Sequence, residues 1–163
     1  YKEKPEYLKQ AIESIQAQTL QTDDFVLVCD GPLNDALDKV IATKQQEMGE
    51  KLNVVRLAKN GGLGNALNKG IKHCKNELVA RMDSDDIAYL DRCEKQMAVF
   101  NTHSEVSICS GIVEEFTSDP NIVDTKRVPP ETNAEIVEFA KKRNPFNPPC
   151  VMYKKSAVEA VGS

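Results

Sequence analysis

Along the chain, short unbroken apolar runs alternate with stretches in which apolar residues recur every three or four positions. The first periodic stretch opens at Pro5, which suits a first helical position because its missing N–H has no partner there. Leu8, Ala11, Ile12 and Ile15 then share one helical face. Phe25–Cys29 is a continuous apolar run, the pattern of a strand covered on both faces, and it stops at the turn signal Asp30-Gly31-Pro32. Leu33, Leu37, Val40 and Ile41 mark a second helix, and residues 54–57 a second strand closed by Asn60-Gly61-Gly62. A third helix places Leu63, Ala66, Leu67, Gly70, Ile71 and Cys74 on one face. Glycine inside a helix costs about 1 kcal/mol relative to alanine, so Gly70 implies a close approach of this helix to the sheet. Residues 78–82 form the next strand and run straight into Asp83. Leu90, Cys93, Met97 and Phe100 predict a fourth helix, 106–116 an extended stretch and 122–128 a strand. Thr132 and Glu135 form a capping box for a helix carrying Ile136, Val137 and Ala140. A strand at 150–153 and a short helix at 156–161 follow.

This alternation predicts an α/β fold, a mainly parallel sheet flanked by helices, as a single domain over residues 1–163. There is no linker, repeat or low-complexity stretch. Ligands of such sheets bind at the carboxyl ends of the strands. Asp30, Asn60 and Asp83 all fall at predicted strand ends and would converge on one rim.

Charge narrows the choice of partner. Lys and Arg number 21 against 25 Asp and Glu, a formal charge of −4 with no basic run. That excludes a broad footprint for nucleic acid. The small clusters Lys141-Lys142-Arg143 and Lys154-Lys155 read as solvated faces. The cysteines number 5, an odd count, and form no C-x-x-C pair, which argues against a disulfide scaffold or zinc site and for a reducing compartment. No apolar stretch is long enough to span a membrane and no signal peptide is visible, although Tyr1 is not a natural start. His73 and His103 lack any triad or metal-site pattern and read as surface residues.

The chemistry concentrates in Asp83-Ser84-Asp85-Asp86. Three carboxylates within four residues repel one another unless something cationic neutralises them. A hard divalent ion, Mg²⁺ or Mn²⁺, sharing its shell with substrate phosphates, is the natural partner. The plainer alternative is an acidic loop that caps the next helix; the position after a buried strand favours metal. A paired-carboxylate glycosidase needs acids on opposite sides of the scissile bond, which neighbours on one loop do not provide. Asp30 could accept from a nucleobase N–H or satisfy its own turn. Asn60-Gly61-Gly62-Leu63-Gly64 could cradle phosphate at a helix N-terminus or serve as a flexible strand-to-helix turn. It matches neither the Walker nor the Rossmann spacing.

Taken in order, these pieces resemble family 2 glycosyltransferases of the GT-A fold. The stretches that carry the resemblance begin with Pro5-Glu6-Tyr7-Leu8, Ile12-Glu13-Ser14-Ile15 and Gln18-Thr19, then Val28-Cys29-Asp30-Gly31. Asn60 to Gly64, Leu67-Asn68-Lys69-Gly70, Arg81 to Asp86, Asp91-Arg92, Lys95-Gln96, Arg143-Asn144-Pro145-Phe146 and Val151-Met152-Tyr153 continue it over essentially the whole chain. The resemblance implies a Rossmann-like GT-A sheet. It also implies that Asp30 contacts the uracil of a UDP-sugar, that Asp85 lies near the ribose, and that Asp86 holds the metal bridging the two phosphates. Asp83 completes the motif. With Asn60 and Gly62, the donor set is Asp30, Asn60, Gly62, Asp83 and Asp85, and the metal set Asp85 and Asp86. Inversion at the anomeric carbon by an acceptor hydroxyl is implied as well. Departures are visible: Cys29 stands where many members have Asp, Leu67 where many have Arg, and Pro148 where His often precedes Pro149. The family's first strand would precede Tyr1 and its catalytic base would follow Ser163, so the resemblance implies no catalytic base among these residues.

The expectation is therefore the donor-binding portion of a longer, metal-dependent, UDP-sugar-using enzyme that transfers sugar to a carbohydrate or lipid-linked acceptor in polysaccharide biosynthesis. The expected location is cytoplasmic, with peripheral attachment at the inner membrane face as a variant. A nucleotide-sugar-forming nucleotidyltransferase and a non-catalytic nucleotide-binding module are the alternatives. This portion alone is expected to be inactive.

Overall fold

A computed structural model describes residues 3–162. Helix α1 (Pro5–Gln16) begins at Pro5 and buries Leu8, Ala11, Ile12 and Ile15, the face that the spacing predicts. Strand β1 (Phe25–Cys29) follows, then α2 (Asp35–Met48), whose N-cap Asn34 accepts from Leu37 N through its side chain at 2.9 Å. A turn of 3₁₀ helix leads into β2 (Leu52–Arg56), which begins two residues before the predicted strand. Strand β2 pairs with β1 in parallel, from Phe25 opposite Leu52 to Cys29 opposite Arg56. Leu8 and Ile12 of α1, Cys29 of β1, and Leu37 and Ile41 of α2 form the buried core, with Phe25, Leu27 and Val54 packed against it. Burial of such side chains stabilises by roughly 1.5–3 kcal/mol each.

Helix α3 (Leu63–Ile71) lies on β1. A Cβ at Gly70 would sit 2.9 Å from Val28 Cγ2, so the close approach inferred from the sequence is present. The buried stripe is narrower than the spacing predicts. Ala66, Gly70 and Ile71 are buried, whereas Leu63 and Leu67 face solvent at 61% and 40% exposure.

Beyond α3 the strands are short: β3 (Leu78–Ala80), β4 (Ile108–Cys109), β5 (Val113–Glu115), β6 (Thr125–Arg127) and β7 (Met152–Lys154). Strand β7 lies between β3 and β4, antiparallel to both, and β5 pairs with β6 as a separate antiparallel ribbon. The mixed α/β architecture matches expectation. The parallel pairing, however, is confined to β1 and β2 among the described residues, because the later strands return by reversing direction. Strand 78–82 is shorter than its apolar run. Arg81 still donates N–H to Val151 O at 2.9 Å, and the chain then turns away. Helix α4 (Arg92–Thr102) starts after Leu90, which is exposed, and α5 (Asn133–Ala140) carries the Thr132–Glu135 capping box. Helix α6 (Lys155–Ala160) comes last.

The segments that lead into β1 and β3 are tied to each other. Lys75 N donates to Asp24 Oδ2 at 2.6 Å, and Asn76 Nδ2 donates to Asp23 Oδ1 at 2.9 Å. Among the described residues, β1 is paired only on the β2 side and β3 only on the β7 side.

Candidate functional site

Three of the expected donor residues meet at the end of β1. Asp30 Oδ1 accepts from Gly61 N at 2.8 Å and Oδ2 from Gly62 N at 2.9 Å, while Asn60 Nδ2 donates to Asp30 O at 3.1 Å. Gly31 makes this possible. Its φ is +102° and a Cβ there would lie 2.8 Å from Asn60 N, so a side chain would push the two turns apart. The ends of β1 and β2 are thus joined into one unit at the start of α3. Gly62 is the N-cap residue of that helix. The N–H groups of Gly61 and Gly62, which lie ahead of the first helical residue Leu63, are taken by Asp30. A carboxylate has about four lone-pair sites, so Asp30 keeps acceptor capacity for a further N–H.

The acidic residues follow β3. Asp86 N donates to Asp83 O at 3.4 Å, closing a turn that leaves Ser84 and Asp85 exposed and Asp83 and Asp86 half-buried. Burial raises the Asp86 carboxyl above the ordinary carboxylate range, and the charges of Asp83 and Asp85 add to this. Burial raises Asp83 too, and Arg81 opposes that shift only in part. Arg81 Nη2 donates to Asp83 Oδ1 at 2.5 Å. Part of the neutralising cation expected from outside is therefore internal: Arg81 pairs with Asp83, and the charges of Arg81 and Arg92 also act, more weakly than burial, on Asp86. Among the described residues, no ion pair reaches Asp85 or Asp86.

Asp85 and Asp86 are of the oxygen-donor type that a hard divalent cation takes. Among the described residues no group of three or more His, Cys, Asp or Glu side chains converges into a ready cage. Two carboxylates with coordination left to water and phosphate oxygens is how Mg²⁺ is ordinarily held. His73 and His103 are exposed, as expected.

Several residues that position this turn carried no assigned role in the sequence. Arg92 Nη2 donates to Arg81 O at 2.6 Å and Nε to Gln96 Oε1 at 3.1 Å, and Gln96 Nε2 donates to Cys150 O at 2.7 Å. Helix α4 thereby braces the end of β3 against the segment leading into β7. On the other side, Gln18 is 3% exposed; it donates to Tyr89 O at 2.7 Å and accepts from Cys93 N at 2.9 Å. Ser14 Oγ accepts from Ala88 N at 3.0 Å, and Thr19 N donates to Leu90 O at 2.9 Å. The end of α1 therefore clamps the segment after the acids. Spacing gives no hint of the clamp, since its partners lie more than seventy residues apart. A surface recess of about 490 Å³ is lined by Pro129, Pro130, Glu131, Glu135, Glu138, Phe139 and Lys142. None of these belongs to the strand-end set, so its size does not make it the site.

No helix among the described residues is long and apolar enough to cross a membrane. Residues 1–162 match the model of glycosyl transferase family 2. The chain is 43% identical over 162 residues to the amylovoran biosynthesis glycosyltransferase AmsE of Erwinia amylovora, covering 99% of this chain and 59% of that protein. It is 35% identical over 161 residues to the UDP-Gal:alpha-D-GlcNAc-diphosphoundecaprenol beta-1,3-galactosyltransferase of Escherichia coli, covering 99% and 58%. It thus spans somewhat under two thirds of the length of these relatives. Among solved structures, the mannosyltransferase PcManGT from Pyrobaculum calidifontis, in complex with GDP-Man and Mn²⁺, superposes with a TM-score of 0.71 at 18% identity. The match covers 100% of this chain and 44% of that one. The fold, the order of its elements and the relatives agree: the chain belongs to glycosyl transferase family 2.

Proposed function

We propose that this chain is the donor-binding part of an inverting glycosyltransferase that uses a UDP-sugar with Mg²⁺ or Mn²⁺ and serves polysaccharide biosynthesis. The observation that carries the reading is the turn after β3, where, among the described residues, no ion pair reaches Asp85 or Asp86 while Asp83 has one. Asp86 and Asp85 would hold the metal, with Asp85 also near the ribose. When bound, such an ion stabilises the charge that develops on a departing nucleoside diphosphate. Asp30 would accept from the uracil N–H. Asn60, Gly61 and Gly62 act through it, because their bonds fix the carboxylate's direction. The brace from Arg92 and the clamp from Gln18 and Ser14 hold the acidic turn at the strand end, so little reorganisation is needed when charge appears. No residue of this chain is assigned as the base that deprotonates the acceptor hydroxyl. The acceptor is taken to be a carbohydrate or a lipid-linked glycan, in keeping with the names of the relatives.

The test is calorimetric titration of UDP into the natural-length protein with and without Mn²⁺. Manganese-dependent binding that Asp86→Ala weakens by at least an order of magnitude is expected, the scale of losing a charge-assisted contact. Metal-independent binding, or an unchanged Asp86→Ala variant, would sink the assignment.

A further inference from the structure

Arg81 emerges from the end of β3 with its side chain only 9% exposed. Its backbone is held on both sides, N–H by Val151 O at 2.9 Å and carbonyl by Arg92 Nη2 at 2.6 Å. Its guanidinium bonds Asp83 through Nη2, and its Nε and Nη1 are buried without any partner. A buried guanidinium is costly to keep, and buried donors are nearly always paired. This one leaves three N–H donors, one on Nε and two on Nη1, without a partner among the described residues, and its one side-chain bond goes to a single carboxylate.

Resting on the reading of the acidic turn as a metal and diphosphate site, we infer that Arg81 is a positioning residue that withdraws Asp83 from the metal-binding set. The pair Arg81–Asp83 is net neutral and engages one Asp83 oxygen, which leaves Asp85 and Asp86 to meet the cation. Three free acids would bind a bare divalent ion more tightly, but they would also fill the positions that phosphate oxygens need. Arg81 thus lowers bare-metal affinity and keeps coordination open for the nucleotide.

The probe is Mn²⁺ alone, titrated without nucleotide into the full-length protein and followed by electron paramagnetic resonance of the free ion. Arg81→Gln removes one positive charge and releases Asp83, so Mn²⁺ should bind on the order of tenfold more tightly at low salt. Arg81→Gln combined with Asp83→Asn replaces a neutral pair by a neutral pair, and its affinity should return to within about threefold of the starting protein. Asp86→Ala serves as the control for the site itself. If it leaves Mn²⁺ binding unchanged, the site reading fails and the inference falls with it. If Asp86→Ala weakens binding and the double variant loses as much, Asp83 is a ligand and the role given to Arg81 is overturned alone. Unchanged affinity in a folded Arg81→Gln variant overturns it equally. Should that single variant fail to fold, the double variant decides.

Discussion

Gly70→Ala puts two known effects in opposition at one position of α3. The new methyl would lie 2.9 Å from Val28 Cγ2, about 0.6 Å inside the shortest comfortable carbon contact. Val28 is β-branched and half-buried in β1, so it has little freedom to yield. Overpacking of this kind costs about 1–3 kcal/mol, against a helix-propensity gain of at most about 1 kcal/mol. The net expectation is a loss of roughly 0–2 kcal/mol. Gly64, in the same helix, has nothing within 4 Å of its would-be Cβ. Gly64→Ala therefore keeps only the gain, up to about 1 kcal/mol. Urea unfolding followed by circular dichroism would compare the two variants, and the difference should be about 1–3 kcal/mol in favour of Gly64→Ala. If Gly70→Ala is as stabilising as Gly64→Ala, the helix is not seated on β1 as described.

Other expectations can be checked alongside. Gln18→Leu leaves Cys93 N–H and Tyr89 O without their side-chain partner, at about 2–4 kcal/mol in denaturant unfolding; a loss under about 0.5 kcal/mol would mean the clamp is dispensable. Thr132→Ala removes a capping box and should cost about 1 kcal/mol, seen as faster amide exchange in α5; unchanged exchange there would refute it. Lys44 is 4% exposed and donates to Glu47 Oε2 at 2.7 Å, and that bond holds the Glu47 carboxyl below its ordinary value of 4.5. A depressed folded pKa means the pair's contribution is present above pH 4.5 and lost as pH falls through the lower, folded value. The acid limb of a stability profile should therefore become shallower in Lys44→Met, and an unaltered limb would contradict the linkage.

How much of this was legible depended on whether a residue acts through its neighbours in sequence or across the fold. Leu8, Ala11, Ile12 and Ile15 are buried as their spacing predicts, because a helix converts spacing directly into a face. Gly70 was legible for the opposite reason, as a local penalty that only a tertiary contact explains. Leu63 and Leu67 misled, since periodicity cannot tell how wide a stripe the sheet will cover. In the site, Asp30 and the Asn60 turn were found separately, but their bond joins chain positions some thirty residues apart. Arg81 was hidden inside an apolar run that read as one strand. The strand ends at Ala80, and it is this early exit that frees Arg81 to turn toward Asp83.

The unjoined edges of β1 and β3 have a consequence for handling the protein. Phe25-Val26-Leu27-Val28 is rich in β-branched and aromatic residues, and half of its backbone groups have no ladder partner among the described residues. Such an edge is a template on which another polypeptide can add a strand. Solutions of these 163 residues should scatter light increasingly with concentration, as chains zip together through the very strand that carries Asp30 to the rim.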